Sequence, residues 1–428
     1  MASTLITFDA FIKERYTTEK IEDLTMSDRP LWAMMPKDDK CSGDNFIEPI
    51  IFGNPQGLGA TLAKAQTASG LAGGAGNVKG RKWSLTFGDY SAVVEIGDKV
   101  MKAARDNFGS FLRNKAAEID GLWEGFADTQ SAYLYGNGGN TIGSGVLSSG
   151  VLTLDNAEDV VNFEVGMPAV ASANDGSDSS HTLLTGTGYV ISVNRSEGKV
   201  TFGNDPDDSL ATNPNAAWLN GGSLIYVFRD GDFGGAGATP IFKGLGAWIP
   251  SSAPSTTDSH YGVNRSVDDR LSGVRIPAAE LSGKGREDRL KLLVTRIKGR
   301  FGGRGKLSVF MNNEQWQALA NELEDKGTRP VGGGTAKFNF DKIQLAAGGS
   351  TIDIYPDPFC PALTAWALAL DTWKLRSYDA YPHVVNGDGL EMLRKIGSND
   401  FEYRLVGYPT NSCRAPSFNG RVTLPAAT

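Results

Sequence analysis

The residue types able to support metal binding or acid–base chemistry are few and scattered. His181, His260 and His383 lie far apart, and none has a second ligand at metal-binding spacing. His383 follows Tyr381–Pro382 and reads as part of a turn. Asp353, Asp357 and Asp371 can be drawn as a carboxylate cluster, but acids at strand ends beside proline are turn formers first. The glycine clusters at 70–76 and 302–305 do not match GxGxxG, and neither GxxxxGK[ST] nor GxSxG occurs. Trp123, Trp316, Trp366 and Trp373 fall on apolar stripes, where core packing is the expected role. Cys41, Cys360 and Cys413 are odd in number and widely spaced, which argues against a disulfide framework and fits a reducing compartment. Neither an enzyme nor a cofactor is expected from this inventory.

The elements around these residues therefore carry the question. A chain of 428 residues is long enough for two or three domains. Its 53 glycines are nearly twice the usual share of roughly 7%, so extended loops are expected. A net charge of −7 argues against nucleic-acid binding over the whole surface. The opening MASTLITFDAFIKERYTTEK lacks a small-residue cleavage site, and no run of about 18 apolar residues occurs, so no membrane partner is expected.

Residues 3–24 read as a helix from the spacing of Leu5, Phe8, Phe11 and Ile12. In DRPLWAMMPK, Trp32, Met34 and Met35 either pack on their own domain or dock on a neighbour. Two strand patterns follow, NFIEPIIF and KWSLTFGDYSAVVEI, joined by a Gly/Ala-rich flap over 54–80. Leu58, Leu62, Leu71 and Val78 are the flap's only sizeable apolar side chains. A two-stranded ribbon is marginal in water and needs something to lie on. Lys64, Lys79, Arg81 and Lys82 have no acids beside them in sequence, so they are either solvated or meet acidic groups of another subunit.

Residues 102–135 give the clearest helix, a rod roughly 50 Å long with Phe108, Phe111, Leu112, Ile119, Leu122, Trp123 and Phe126 on one stripe. Residues 151–232 change character: short strands, frequent turns, and a hairpin in VISVNRSEGKVTF with its turn at Ser196–Gly198. Twelve acidic residues there face only Arg195, Lys199 and Arg229, a net of −9 that leaves +2 of the total −7 for the rest. This segment reads as an inserted all-β barrel or sandwich. Later come an amphipathic helix at 287–301, a strand and helix in KLSVFMNNEQWQALANELEDKG capped at Asn312 or Asn313, buried strands of a mixed sheet, and two closing strands around a Pro/Asn turn.

Taken in order, these parts resemble the major capsid proteins of tailed bacteriophages with the HK97-type fold. The resemblance implies an α+β chain with an N-terminal arm (1–43), an extended loop (44–98) and a peripheral domain with its spine helix (99–150). An inserted acidic surface domain (151–232), further peripheral domain and linker (233–285), an axial domain (286–395) and closing peripheral strands (396–428) complete it. It implies a structural, non-enzymatic protein that forms pentamers and hexamers and closes into an icosahedral head around double-stranded DNA. The partners implied are other copies of the chain, a separate scaffolding protein, a portal and a decoration protein. The place implied is the virion, assembled in the host cytoplasm. Intersubunit contacts would fall on Trp32, Met34, Met35, Leu58, Leu62, Lys64, Lys79, Arg81 and Lys82. Some family members cross-link a lysine of this loop to a neighbour's asparagine, and Lys64 stands where that lysine would be, although a solvated lysine is expected. A tail-tube or decoration protein is the main rival reading, weakened by the long helix, and a hydrolase is the third.

Overall fold

A computed structural model describes residues 29–70, 76–98, 108–237, 241–325, 343–386 and 392–426. The helix expected at 3–24 lies outside these residues, as does Leu71. The fold is α+β, with an extended two-stranded ribbon, a long helix, a closed barrel and a mixed sheet in that order along the chain.

The ribbon is built by Asn45–Gly53 and Lys79–Thr86, antiparallel, with Phe46 opposite Leu85 and Glu48 opposite Trp83. Among the described residues it forms a sheet of two strands. Residues directly opposite share a face. Phe46, Glu48, Ile50, Trp83 and Leu85 therefore face one way, and Ile47, Ile51 and Lys82 the other. The single strand expected in KWSLTFGDYSAVVEI is two: the chain turns at Gly88–Asp89, and Tyr90–Ile96 leaves the ribbon to pair with Phe401–Gly407.

That second strand lies in a four-stranded sheet beneath the rod helix, Phe108–Tyr135. At 1.5 Å per residue the described part of the rod is about 42 Å long. Ile119, Leu122, Trp123 and Phe126, spaced to share one helical face, pack on Tyr403 and Leu405. The last turn is buried outright, with Tyr133, Leu134 and Tyr135 at 3% exposure or less. Close approach there requires glycine: a Cβ on Gly244 would stand 2.3 Å from the Tyr133 carbonyl oxygen. The short helix Pro30–Met34 lies on the rod, tied by Arg29, which donates to Asp128 at 2.6 Å and to Glu124.

The acidic module is a closed six-stranded barrel, in the order Ile225–Arg229, Gly143–Ser148, Val151–Leu154, Lys199–Gly203, Gly188–Asn194 and Pro168–Ser172. The expected hairpin is present as the strands Gly188–Asn194 and Lys199–Gly203. The boundary at 151 is corrected, because the barrel's first strand begins at Gly143. Residues 143–150 carry no charge, so the module's net of −9 stands. Leu152, Phe163, Val190, Phe202, Trp218 and Val227 are fully buried around its interior.

The region expected to be the axial domain centres on a six-stranded mixed sheet, the axial sheet, in the order Val274–Arg275, Gly420–Thr423, Thr364–Leu368, Ser308–Met311, Ser350–Pro356 and Ile343–Ala347. Helices Arg286–Arg300 and Asn313–Asp325 share its core through Leu290, Leu293, Ile297, Leu319 and Leu323. The Asn312 side chain caps the second helix by accepting from Glu314 N–H. The closing segment 396–428 is corrected in two ways. It holds three main strands rather than two, and they join three sheets: Phe401–Gly407 lies under the rod, Thr410–Cys413 beside Trp373–Arg376, and Gly420–Thr423 inside the axial sheet. A strand pattern specifies a buried face but not a partner, and turns at Tyr408–Pro409 and Arg414–Phe418 redirect the chain each time.

Candidate assembly surface

The ribbon has a fixed root and an exposed end. At the root, Trp83 and Leu85 are fully buried. Trp83 meets Trp248 edge-on at 5.2 Å and His260 at 5.8 Å. The Arg376 guanidinium lies 4.0 Å over Phe46, reaches Glu48 at 3.5 Å, and donates to Asp38 at 2.6 Å. Burial pushes the Glu48 carboxyl above its usual range, and the neighbouring Arg376 charge opposes that shift. The root is a desolvated aromatic and ion-paired seat.

On the opposite face of the strands, and toward the tip, the ribbon is exposed: Ile47 is 54% exposed, Ile51 69%, Leu58 77%, Leu62 75% and Val78 49%. These are five of the twelve large apolar side chains found exposed among the described residues. So many within one excursion is a patch, not scatter. The flap contains a helix that its glycine content conceals, Leu62–Ser69, capped where Thr61 accepts from Lys64 N–H, with no buried residue. Ala63, Lys64, Ala65 and Gln66 are good helix formers. A Cβ on Gly76 would lie 2.5 Å from the Ser69 Cα, and one on Gly59 2.7 Å from the Ala65 amide nitrogen. At these two places glycine serves close packing of loop on helix.

Of the remaining expected contact residues, Lys64 and Lys82 are exposed and Lys79 is half-buried. Arg81 is exposed, with its guanidinium 5.9 Å from the Phe52 ring. Trp32 and Met34 are half-buried, and Trp32 lies 5.7 Å from Tyr381 with the Lys37 ammonium 4.3 Å above it. Met35, at 3% exposure, packs with Leu31 in the core of its own chain, which leaves Trp32 and Met34 as that segment's accessible apolar side chains. Ile47 and Ile51 were not singled out from sequence. The alternation in NFIEPIIF held the signal, but which face is covered depends on Trp83 and Leu85.

The residues considered for chemistry are dispersed among structural roles. His260 is buried against Trp83, Trp248 and Tyr261, and burial holds its pKa well below the usual histidine value. His181 sits 3.4 Å from Asp175, while His383 lies in a strand under the rod. Asp353 pairs with Lys306 at 2.6 Å. Asp357 Oδ1 accepts from Phe359 N–H, the expected turn bond. Among the described residues, no three His, Cys, Asp or Glu side chains are placed to hold a metal ion, and no helix is long and apolar enough to cross a membrane.

Where the barrel meets the body, burial, with Glu158 and Asp155 nearby, pushes Asp159 up to about 7 against the Asn156 hydrogen bond. A carboxyl whose pKa is raised in the folded state binds a proton that the unfolded chain has already released. Its contribution to stability is present in full below about 4, the unfolded value, and is lost as pH rises through 7. Asp159→Asn should therefore leave the unfolding midpoint unchanged at pH 4 and raise it by about 2–4 °C at pH 8. Calorimetry at the two pH values tests this, and an equal shift at both would remove the ionisation argument.

No family model and no curated protein matches the chain. Among solved structures, it is similar to the capsid of a native GTA particle, at 9% identity and a TM-score of 0.46, covering 100% of both chains. It is similar also to a cyanophage A-1(L) capsid protein, at 10% identity, TM-score 0.47 and 97% coverage of each. A third likeness is to a protein of Mycobacterium phage Adephagia, at 8% identity, TM-score 0.42 and full coverage of both.

Proposed function

We propose that the chain is the major building block of a phage head: copies associate through their ribbons into pentamers and hexamers that close into an icosahedral shell around double-stranded DNA. The observation that carries this reading is the division of the ribbon, buried at its root by Trp83 and Leu85 and apolar but exposed at Ile47, Ile51, Leu58 and Leu62. Fully burying one such side chain is worth about 1.5–3 kcal/mol. Four per copy, repeated around a closed lattice, make a modest contact collectively strong. Scaffolding, portal and decoration proteins are the further partners of this reading, and the virion, assembled in the host cytoplasm, is its location. The acidic barrel belongs on the outside, because a module of net −9 against packaged DNA would be repelled at close range.

Purified protein is expected to form capsomers or large particles, seen by light scattering and negative-stain microscopy. Ile51→Ser with Leu62→Ser should shift the population to smaller species without lowering the unfolding midpoint, since neither side chain joins the core. A single 45.6 kDa species across salt and pH would overturn the proposal.

A further inference from the structure

A cleft of about 940 Å³ opens where the barrel, the 243–265 loops and the end of the axial sheet meet. It is not part of the ribbon surface. Two cations line it that form no salt bridge among the described residues, although Asp258 lies close enough to Lys243 to oppose the lowering of its pKa. The Arg421 guanidinium stacks 4.8 Å over Trp366, and the Lys243 ammonium lies 4.8 Å over Tyr261. Burial lowers the pKa of both. Two buried side chains of the lining, Trp366 through Nε1 and His260 through Nε2, also have no hydrogen-bond partner among the described residues. Buried polar groups are normally paired, so this cleft holds an unusual surplus of unmatched polarity.

We propose that the cleft is a docking site for an extended acidic peptide segment, its carboxylates meeting Arg421 and Lys243. An arginine whose guanidinium sits over an indole face is held in place by cation–π attraction and can bind a carboxylate bidentately. The walls between the cations carry Ser177, Ser179, Ser255, Thr257 and Ser259, small donors and acceptors suited to a peptide backbone. Asp159, Asp175, Asp178 and Asp258 line the same cleft. A phosphodiester chain, with a charge on every residue, would meet these acids whichever way it lay, whereas a peptide can place its few carboxylates at the cations alone. The third cation, Arg265, is already committed to Asp258 at 2.8 Å. The site stands on its own cleft geometry, whether or not the chain builds a shell.

The test is fluorescence anisotropy of a labelled alternating serine–glutamate heptapeptide titrated with the full chain at low salt. Saturable binding is expected, weakened about tenfold by either Arg421→Gln or Lys243→Gln, partly retained in Arg421→Lys, and absent for a serine–lysine heptapeptide. Shell formation by Lys243→Gln should be unchanged, which separates failure of this inference from failure of the assembly reading. If Arg421→Gln does not fold, Lys243→Gln and Arg421→Lys decide the matter. No saturable binding, equal affinity in the variants, or preference for a duplex oligonucleotide overturns the proposal.

Discussion

Replacing residues 57–76 by a short turn should leave a folded chain that no longer forms stable shells. Within that stretch the helix Leu62–Ser69 buries no residue, and Leu58 and Leu62 are the two most exposed apolar side chains of the ribbon. Among the described residues, deletion therefore removes nothing from the home core, whose contacts with the ribbon run through Phe46, Ile50, Phe52, Trp83 and Leu85. The remaining strands keep the ladder from Asn45–Thr86 to Gly53–Lys79 and need only a tight connection. The unfolding midpoint should stay within about 2 °C of the parent chain, while the particle fraction in sedimentation falls from dominant to negligible. Loss of folding would place the tip in the home core instead, and normal shells would remove the ribbon from assembly.

Much of this surface is legible in the sequence. Alternation in KWSLTF marks Trp83 and Leu85 as one face, and the 3–4 spacing of Ile119, Leu122, Trp123 and Phe126 marks the rod. The barrel's hairpin is announced by Asn194–Gly198. The parts that resist reading have identifiable causes. The flap helix is hidden because glycines at 57, 59 and 76, placed there for close packing, dilute the helical signal of residues 62–69. The barrel's first strand, GSGVLS, offers only Val146 and Leu147 as apolar residues, so it reads as a loop until the barrel closes around it. The Arg376 clamp joins residues 338 apart in sequence, and no local pattern records such a pairing. Periodicity reports a face; the partner of that face is a tertiary fact.

The same distinction applies to the carboxylates grouped in sequence, and it yields the largest stability effect expected of a single residue. Asp371 is exposed, whereas Asp357 is fully buried. Asp357 Oδ2 accepts from the Leu31 N–H at 3.2 Å and the Tyr135 O–H at 2.8 Å, and its Oδ1 from the Phe359 N–H at 3.0 Å. Those donors belong to the short helix Pro30–Met34, the last turn of the rod and the loop leaving the six-stranded sheet, so one carboxylate joins three parts of the chain. Burial, then the Asp357 charge beside it, drives the Tyr135 hydroxyl pKa well above the usual tyrosine value and keeps it a donor. Asp357→Ala strands three donors in a dry interior, at about 1–3 kcal/mol each where no water enters. A net loss of about 3–5 kcal/mol is expected, read as a fall of about 6 °C or more in the unfolding midpoint. Asp357→Asn keeps the volume but offers one acceptor oxygen instead of two, so an intermediate loss is expected. Asp371→Ala, at the exposed acid, should change stability by no more than about 0.5 kcal/mol. Equal midpoints for the Asp357→Ala and Asp371→Ala variants would show that the carboxylate does not hold the three parts together.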